Sequence, residues 1–331
     1  MKRKKYIEYW RNAPIFCKTN IKKKYPNINN IFPSGRQSIT YILKKNKINR
    51  SDKVVIPEWS SNCLHSAVSK IAKPIFMNEY LKNKSKIKVL IIYYQWGWEN
   101  LNSYKKILNS SFKNIIIILD KVDNLDIFKI NNQNENKINN KNIFSVYSFS
   151  KIIGLQGGSI ISNNKKLLKI NYSKKEISFL KLFEKIKINN KLYSNKIEYI
   201  KKSDIFALPD SVKKWFSKNS LKLSVKNELK KRKINFNIIL KSSLTNKWPK
   251  WMKNHSKESN IPNAVPLFRG FSDQYLEKKM LVLKKNFKLE SKIYHFNWSG
   301  NPFLPKYKKC LMVPIHGLVF KIDRIIDKLE K

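Results

Sequence analysis

Short, uninterrupted runs of aliphatic and β-branched residues alternate with helix-length mixed segments through the first half of the chain. Asp52-Lys53-Val54-Val55-Ile56-Pro57 predicts a strand, followed by a helix from about Asn62 to Ala72. Pro74-Ile75-Phe76-Met77 predicts a short strand. Lys88–Tyr94 predicts another, with a helix near Leu101–Leu108 after it. Asn114–Asp120 (NIIIILD) is the clearest buried strand, and Ile143–Tyr147 and Ser159-Ile160-Ile161 complete the set. Apolar runs without alternation indicate strands covered on both faces, hence a largely parallel sheet in an α/β domain. Upstream, Ser34-Gly35-Arg36-Gln37 opens a helix reaching about Lys44. The polar, low-complexity stretch Lys129–Lys141 reads as a surface loop. From about Ile177 to Lys202 the pattern turns helical and Lys-rich, and Asn227–Leu244 predicts another helix. Cys310–Pro314 predicts a strand, and Val319–Leu329, with apolar positions at helical spacing, a closing helix. The expected organisation is a large α/β domain over residues 1–225 and a smaller C-terminal α+β domain over residues 226–331.

Composition sharpens this picture in three ways. The 331 residues suit about two domains, and 42% hydrophobic content excludes wholesale disorder. No apolar run approaches the roughly 18–20 residues needed to span a bilayer. The N-terminus lacks the apolar core of a secretory signal. Cys17, Cys63 and Cys310 lie far apart without a C-x-x-C, so neither a disulfide framework nor a zinc site is implied, and a cytoplasmic location fits.

The charge of +47 invites a nucleic-acid reading, but 62 of the 69 basic residues are Lys and 7 are Arg. A phosphate-reading surface favours the bidentate fork of Arg. The 39 Asn and 43 Ile rise together with Lys as drift toward A/T-rich codons would produce. The charge therefore reads as a solvated surface, one that also attracts anionic substrates. Glycine occurs only 8 times, against an average of roughly 7%. Those that remain mark places where a Cβ is hard to accommodate: Gly35, Gly97, Gly154, Gly157, Gly158, Gly270, Gly300 and Gly317.

Ligands of open parallel sheets bind beyond the carboxyl ends of the strands. What stands there is Glu58-Trp59-Ser60-Ser61-Asn62, Gln95-Trp96-Gly97-Trp98, Asp120, and Ser148-Phe149-Ser150-Lys151, with the Gly35 helix start upstream. These parts suit pyridoxal 5′-phosphate (PLP). A lysine amine forms the Schiff base and shuttles protons. A carboxylate keeps the pyridine nitrogen protonated, so that the ring is an electron sink. A helix N-terminus cradles the phosphate.

Five segments in register resemble the DegT/StrS-type sugar aminotransferases of the aspartate-aminotransferase (type I PLP-dependent transferase) fold, over roughly residues 30–325. Phe32-Pro33-Ser34-Gly35-Arg36 is similar to the family's phosphate-binding opening, and Val54–Cys63 to its second strand and cofactor-covering turn. Ile118–Asp123 resembles its Glu-Asp-x-x-His/Gln segment. Ser148–Lys151 with Gly157-Gly158-Ser159 resembles the cofactor-lysine loop. Lys309–His316 resembles a strand near the C-terminus. The resemblance implies Lys151 as the Schiff-base lysine and Asp120 as the pyridinium partner. It implies Gly35, Arg36 and Ser148 at the phosphate and Asp123 near the ring hydroxyl. Ser61 stands where the family often presents a larger side chain to the ring face, which leaves Trp59 or Trp96 to cover it.

Asp123, Leu119 and Gly157 depart from the family pattern, and no Asn/Arg segment that would reach a neighbouring subunit's phosphate is recognisable around Asp204–Asp210. By resemblance the chain is a homodimeric aminotransferase passing an amino group from an amino-acid donor, glutamate by family habit, to a nucleotide-linked keto-sugar for surface polysaccharide. Two other readings compete. One is a diverged, weakly active or inactive homologue. The other is a Lys-rich polyanion-binding protein. His65 is expected to be packed rather than functional, and Arg269 to lie in a surface salt bridge or to bind a donor carboxylate.

Overall fold

The computed structural model describes residues 7–8, 30–83, 86–100, 115–124, 142–153, 157–163, 166–169, 221–255, 261–268 and 272–330. The expected helices at Leu101–Leu108 and Ile177–Lys202 and the loop at Lys129–Lys141 lie outside these residues. So do Cys17, Gly154, Arg269, Gly270 and the Asp204–Asp210 stretch.

The strands in chain order are β1 (Ile7–Glu8), β2 (Ile31–Phe32), β3 (Lys53–Ile56), β4 (Lys73–Phe76), β5 (Val89–Tyr93), β6 (Ile116–Asp120), β7 (Ile143–Ser148), β8 (Ser159–Asn163), β9 (Lys166–Leu167), β10 (Ala264–Leu267), β11 (Leu289–Glu290), β12 (Lys292–Asn297) and β13 (Tyr307–Pro314). One large sheet runs in the order β2-β8-β7-β6-β5-β3-β4, with β9 beside β8. Its middle, β4-β3-β5-β6-β7, is parallel, as the unbroken apolar runs require. β8 is antiparallel to both β7 and β2. Hence β7 and β8 are joined by a short connection rather than a crossover, and that connection carries Lys151.

Burial follows the sequence pattern on both faces. Val54, Ile56, Val89, Ile91 and Ile118 point to the side covered by α1 (Gly35–Lys45) and α2 (Asn62–Ser69). Val55, Leu90, Ile92, Ile117 and Leu119 point to the other side, where Met77 of α3 (Met77–Asn83) packs. Because alternate residues of a strand face opposite ways, this division accounts for a continuous rather than alternating apolar run.

A second core gathers around the antiparallel sheet β10-β13-β12. A five-residue helix, α4 (Phe149–Ile153), follows β7. A twenty-residue helix, α5 (Leu221–Leu240), places Leu221 and Val225 against α4's Phe149 and Ile152, and Phe236 and Ile239 in the second core. The helix expected over Asn227–Leu244 thus begins earlier and stops at Leu240. Ser242 adopts an extended backbone there, and its hydroxyl donates to the Ile239 carbonyl. Gln95, which opens a 3-10 turn just past β5, reaches β12 through its side chain. Its amide donates to the His295 carbonyl at 2.8 Å and accepts from the Asn297 N–H at 3.0 Å.

Candidate active site

Three of the sequence-predicted residues, Lys151, Asp120 and Asp123, converge with Tyr93 at the carboxyl ends of β5, β6 and β7. Lys151, one turn into α4, holds its Nζ 3.8 Å from Asp123 Oδ2. The Tyr93 hydroxyl donates to the same carboxylate oxygen at 2.9 Å, and its ring centroid lies 5.9 Å from Lys151 Nζ. Asp120 ends β6 in a buried position, its Oδ1 accepting a long 3.4 Å hydrogen bond from the Val122 N–H. Asp123 Oδ1 is buried with no hydrogen-bond partner.

The electrostatics follow from this crowding. Burial is the largest effect on the Asp120 carboxyl and raises its pKa. Lys151 and the Val122 N–H oppose that rise while the charge of Asp123 adds to it, leaving the group at about 6. For Lys151, burial alone lowers the amine. Asp123, Asp120, Cys63 and Tyr294 together outweigh burial, and the amine ends up raised. Lys151 therefore rests as an ammonium held among carboxylates, with 33% of its side chain open to solvent. Tyr294 of β12 is held above its ordinary value, chiefly by burial and also by Asp123, against Lys151.

The α1 end of the site is built from backbone ties. Ser34 caps α1, its Oγ accepting from the Gln37 N–H at 3.3 Å. The Gly158 N–H donates to the Pro33 carbonyl at 2.8 Å, and the Phe149 N–H to the Gly158 carbonyl at 2.9 Å. Ser38 and Ser159 share a 2.6 Å hydroxyl contact. These bonds draw the start of α1 against the end of β7, where Ser148 is buried with its Oγ 2.9 Å from that of Ser150. A Cβ on Gly35 would lie 3.1 Å from Val122 Cγ1, so the helix start sits directly on the turn between Asp120 and Asp123.

The side chains of the remaining sequence candidates make other contacts. Ser61 caps α2, accepting from the Leu64 N–H at 3.4 Å, and is exposed. The Arg36 guanidinium donates to Cys63 Sγ at 2.7 Å. Trp96 is a buried member of the second core, packed on Tyr294 and Phe296 with ring centroids at 5.7 and 5.1 Å. Trp59 stacks on His295 at 3.8 Å. The ring nearest the lysine amine is instead Tyr93. His65, expected to be packed, is exposed and pairs with Ser69 of its own helix at 3.3 Å, outside the buried stripe of Leu64, Ala67 and Val68.

Tyr93 and Tyr294 are the residues that sequence reasoning missed. Tyr93 is the last residue of β5, and the inventory of strand ends began beyond it at Gln95. Replacing Tyr93 with Phe leaves a buried carboxylate without its hydroxyl donor. Unfolding stability, read from urea titration, is expected to fall by about 1.5–3 kcal/mol, the range for hydrogen bonds to charged groups.

An amine beside carboxylates, a buried carboxyl ending a strand, a capped helix start and a buried serine form a donor set that fits PLP. Asp123 Oδ1, buried and unpartnered, adds an acceptor waiting for a polar group. A family model described as "Putative PLP-dependent aminotransferase" matches residues 18–328. The chain belongs to the PLP-dependent aminotransferases. PLP is accordingly the cofactor of this aminotransferase.

Solved structures share the aminotransferase's fold at low identity. The "putative sugar aminotransferase Spr1654" of Streptococcus pneumoniae, in its PMP form, is 13% identical with a TM-score of 0.53, covering 90% of this chain and 86% of its own. NtdA of Bacillus subtilis, with bound cofactor PMP, is 16% identical with a TM-score of 0.51, covering 91% and 72%. A DegT/DnrJ/EryC1/StrS aminotransferase of Brucella abortus is 12% identical with a TM-score of 0.50, covering 91% and 84%. No curated protein matches the sequence.

Proposed function

We propose that this aminotransferase moves an amino group from an amino-acid donor, glutamate by resemblance, onto a keto-sugar carried on a nucleotide, in the cytoplasm. Lys151 would attach the cofactor and Asp120 would pair with its ring nitrogen. Asp123 and the Tyr93 hydroxyl would serve its polar ring substituents. Ser148 and the N–H groups of Gly35 and Arg36 hold the phosphate. In this reading the chain divides near residue 225, and a second copy completes the site.

When bound, PLP supplies an electrophilic carbonyl and a ring that takes up the electrons of a broken C–H bond. The rest belongs to the protein. With the cofactor bound, the amine of Lys151 would take the proton from the donor's Cα and return it during transfer. The same amine reverses the sequence on the acceptor, delivering a proton to the former carbonyl carbon. Asp120, as a carboxylate, stabilises positive charge on the ring nitrogen. Tyr93 and Asp123 restrain the amine between these steps.

The observation that supports a sugar acceptor is a cleft that shares Tyr93 with the lysine cluster. Trp59, Tyr307, Met77 and Pro302 also line it. Aromatic faces suit the C–H surface of a sugar ring or a nucleobase, as is common in small-molecule sites. The excess of 69 basic over 22 acidic residues favours an anionic, nucleotide-linked substrate. The test is two half-reactions followed by visible absorption. Glutamate is expected to discharge the PLP band, and a keto-sugar nucleotide to restore it. A keto acid restoring the band faster than every keto-sugar offered overturns the acceptor assignment.

A further inference from the structure

Arg232 is one of 7 arginines in a chain with 62 lysines, and it is completely buried. Its position shows why the planar fork is used. Nε donates to Glu228 Oε1 at 2.6 Å, one turn back on α5, while Nη2 donates to the carbonyl of Ile152 at 3.0 Å. Ile152 follows Lys151 in α4. An ammonium is a point charge on a flexible stem and does not reproduce two fixed, divergent contacts.

Glu228 carries the connection onward. Its Oε1 also accepts the N–H of Gly317 at 3.0 Å. A Cβ on Gly317 would lie 2.7 Å from Glu228 Oε2, so the close approach depends on glycine. Two turns along the same face of α5, Asn235 Nδ2 donates to the carbonyls of Ile315, His316 and Val319 at 3.2, 3.3 and 3.1 Å. One face of α5 therefore grips the Ile152–Ile153 peptide at one end and the turn that follows β13 at the other.

A fully buried ion pair is a weak source of stability beside well-packed apolar groups of the same volume. What this one does is fix a carbonyl next to Lys151. We propose that Arg232 and Glu228 are positioning residues for Lys151. They set where α4 presents the amine and tie that placement to the 315–319 turn. The proposal rests on the assignment of Lys151 as the cofactor-attaching amine.

The test compares wild type with Arg232→Lys and with the double apolar variant Arg232→Met/Glu228→Leu, which leaves no lone charge behind. Each is scored for melting temperature, for the visible circular dichroism of bound PLP, and for donor kcat and KM. The expected result is folded variants that bind PLP with altered visible dichroism. Their kcat should fall by roughly 10- to 100-fold, the scale for a small misplacement of a reacting group, with KM nearly unchanged. A folded double variant with wild-type dichroism and kcat overturns the proposal. So does failure of both variants to fold, which assigns the pair to global stability. If wild type itself shows no PLP band after desalting, the Lys151 assignment is what fails, and the proposal falls with it.

Discussion

Replacing Lys151 with alanine is expected to abolish the visible PLP band that survives desalting and to lower kcat by about 10⁴-fold. The size follows from the number of roles one amine fills. In the proposed role it attaches the cofactor, accepts the Cα proton and returns it, whereas the buried amine of Lys121 is turned to Glu99 at 3.9 Å and lies over the Tyr94 ring. Lys151→Arg separates charge from chemistry. It keeps a cation near Asp123 but provides no amine able to lose a proton near neutral pH. Loss of the band in both variants, with unchanged melting behaviour, supports the assignment. An alanine variant that retains turnover removes it.

Replacing Asp120 with asparagine is expected to reduce kcat by roughly 10²–10³-fold, because a neutral amide no longer stabilises a cationic ring nitrogen. The pH dependence of the apoprotein gives an independent check. The Asp120 carboxyl is raised from 3.8 to about 6 by burial and by Asp123, against Lys151. A raised carboxyl means that the folded state holds a proton the unfolded chain gives up. Its contribution is therefore fully present below pH 3.8 and is lost as pH rises through about 6. A shift of this size corresponds to about 3 kcal/mol. Apoprotein stability should accordingly decline between about pH 4 and pH 6, and the asparagine variant should lack that slope. Saturation with PLP is expected to flatten it in wild type too, because a ring cation opposite Asp120 favours the carboxylate. An Asn variant with the wild-type slope reassigns the titration to another group.

What was legible in the sequence was whatever depends on one strand at a time. Val54-Val55-Ile56 and Ile116–Leu119 are apolar on both faces, so their burial and the parallel sheet follow from the run itself. The placement of Asp120 at the end of β6 and of Lys151 just after β7 was legible in the same way. Features set by pairing between distant segments were not. Tyr294 approaches Lys151 only because β12 joins β13 in one register, and nothing in Lys292–Asn297 names its partner. Arg232 and Glu228 look like one more i, i+4 surface pair on a Lys-rich helix until α4 and Gly317 are placed beside them. Ser61 and Trp96 are matched by resemblance to a family pattern. Locally, one is a helix cap and the other a core ring whose backbone, at φ 55°, turns it away from the strand end.

The antiparallel placement of β8 has a consequence for the order in which the molecule is made. β7 and β8 can pair as soon as both are synthesised, because they are neighbours in the chain. β2 must wait for β8, since Ile31 pairs with Ile160 and β3 to β7 all lie between them in the chain. Closing so long a loop is entropically costly and slow. The start of α1, bound to the lysine connection through Pro33 and Gly158, therefore comes into place only at that late step. During synthesis, a nascent chain that has not yet exposed β8 to solvent carries Asp120 but has no complete pocket for the cofactor.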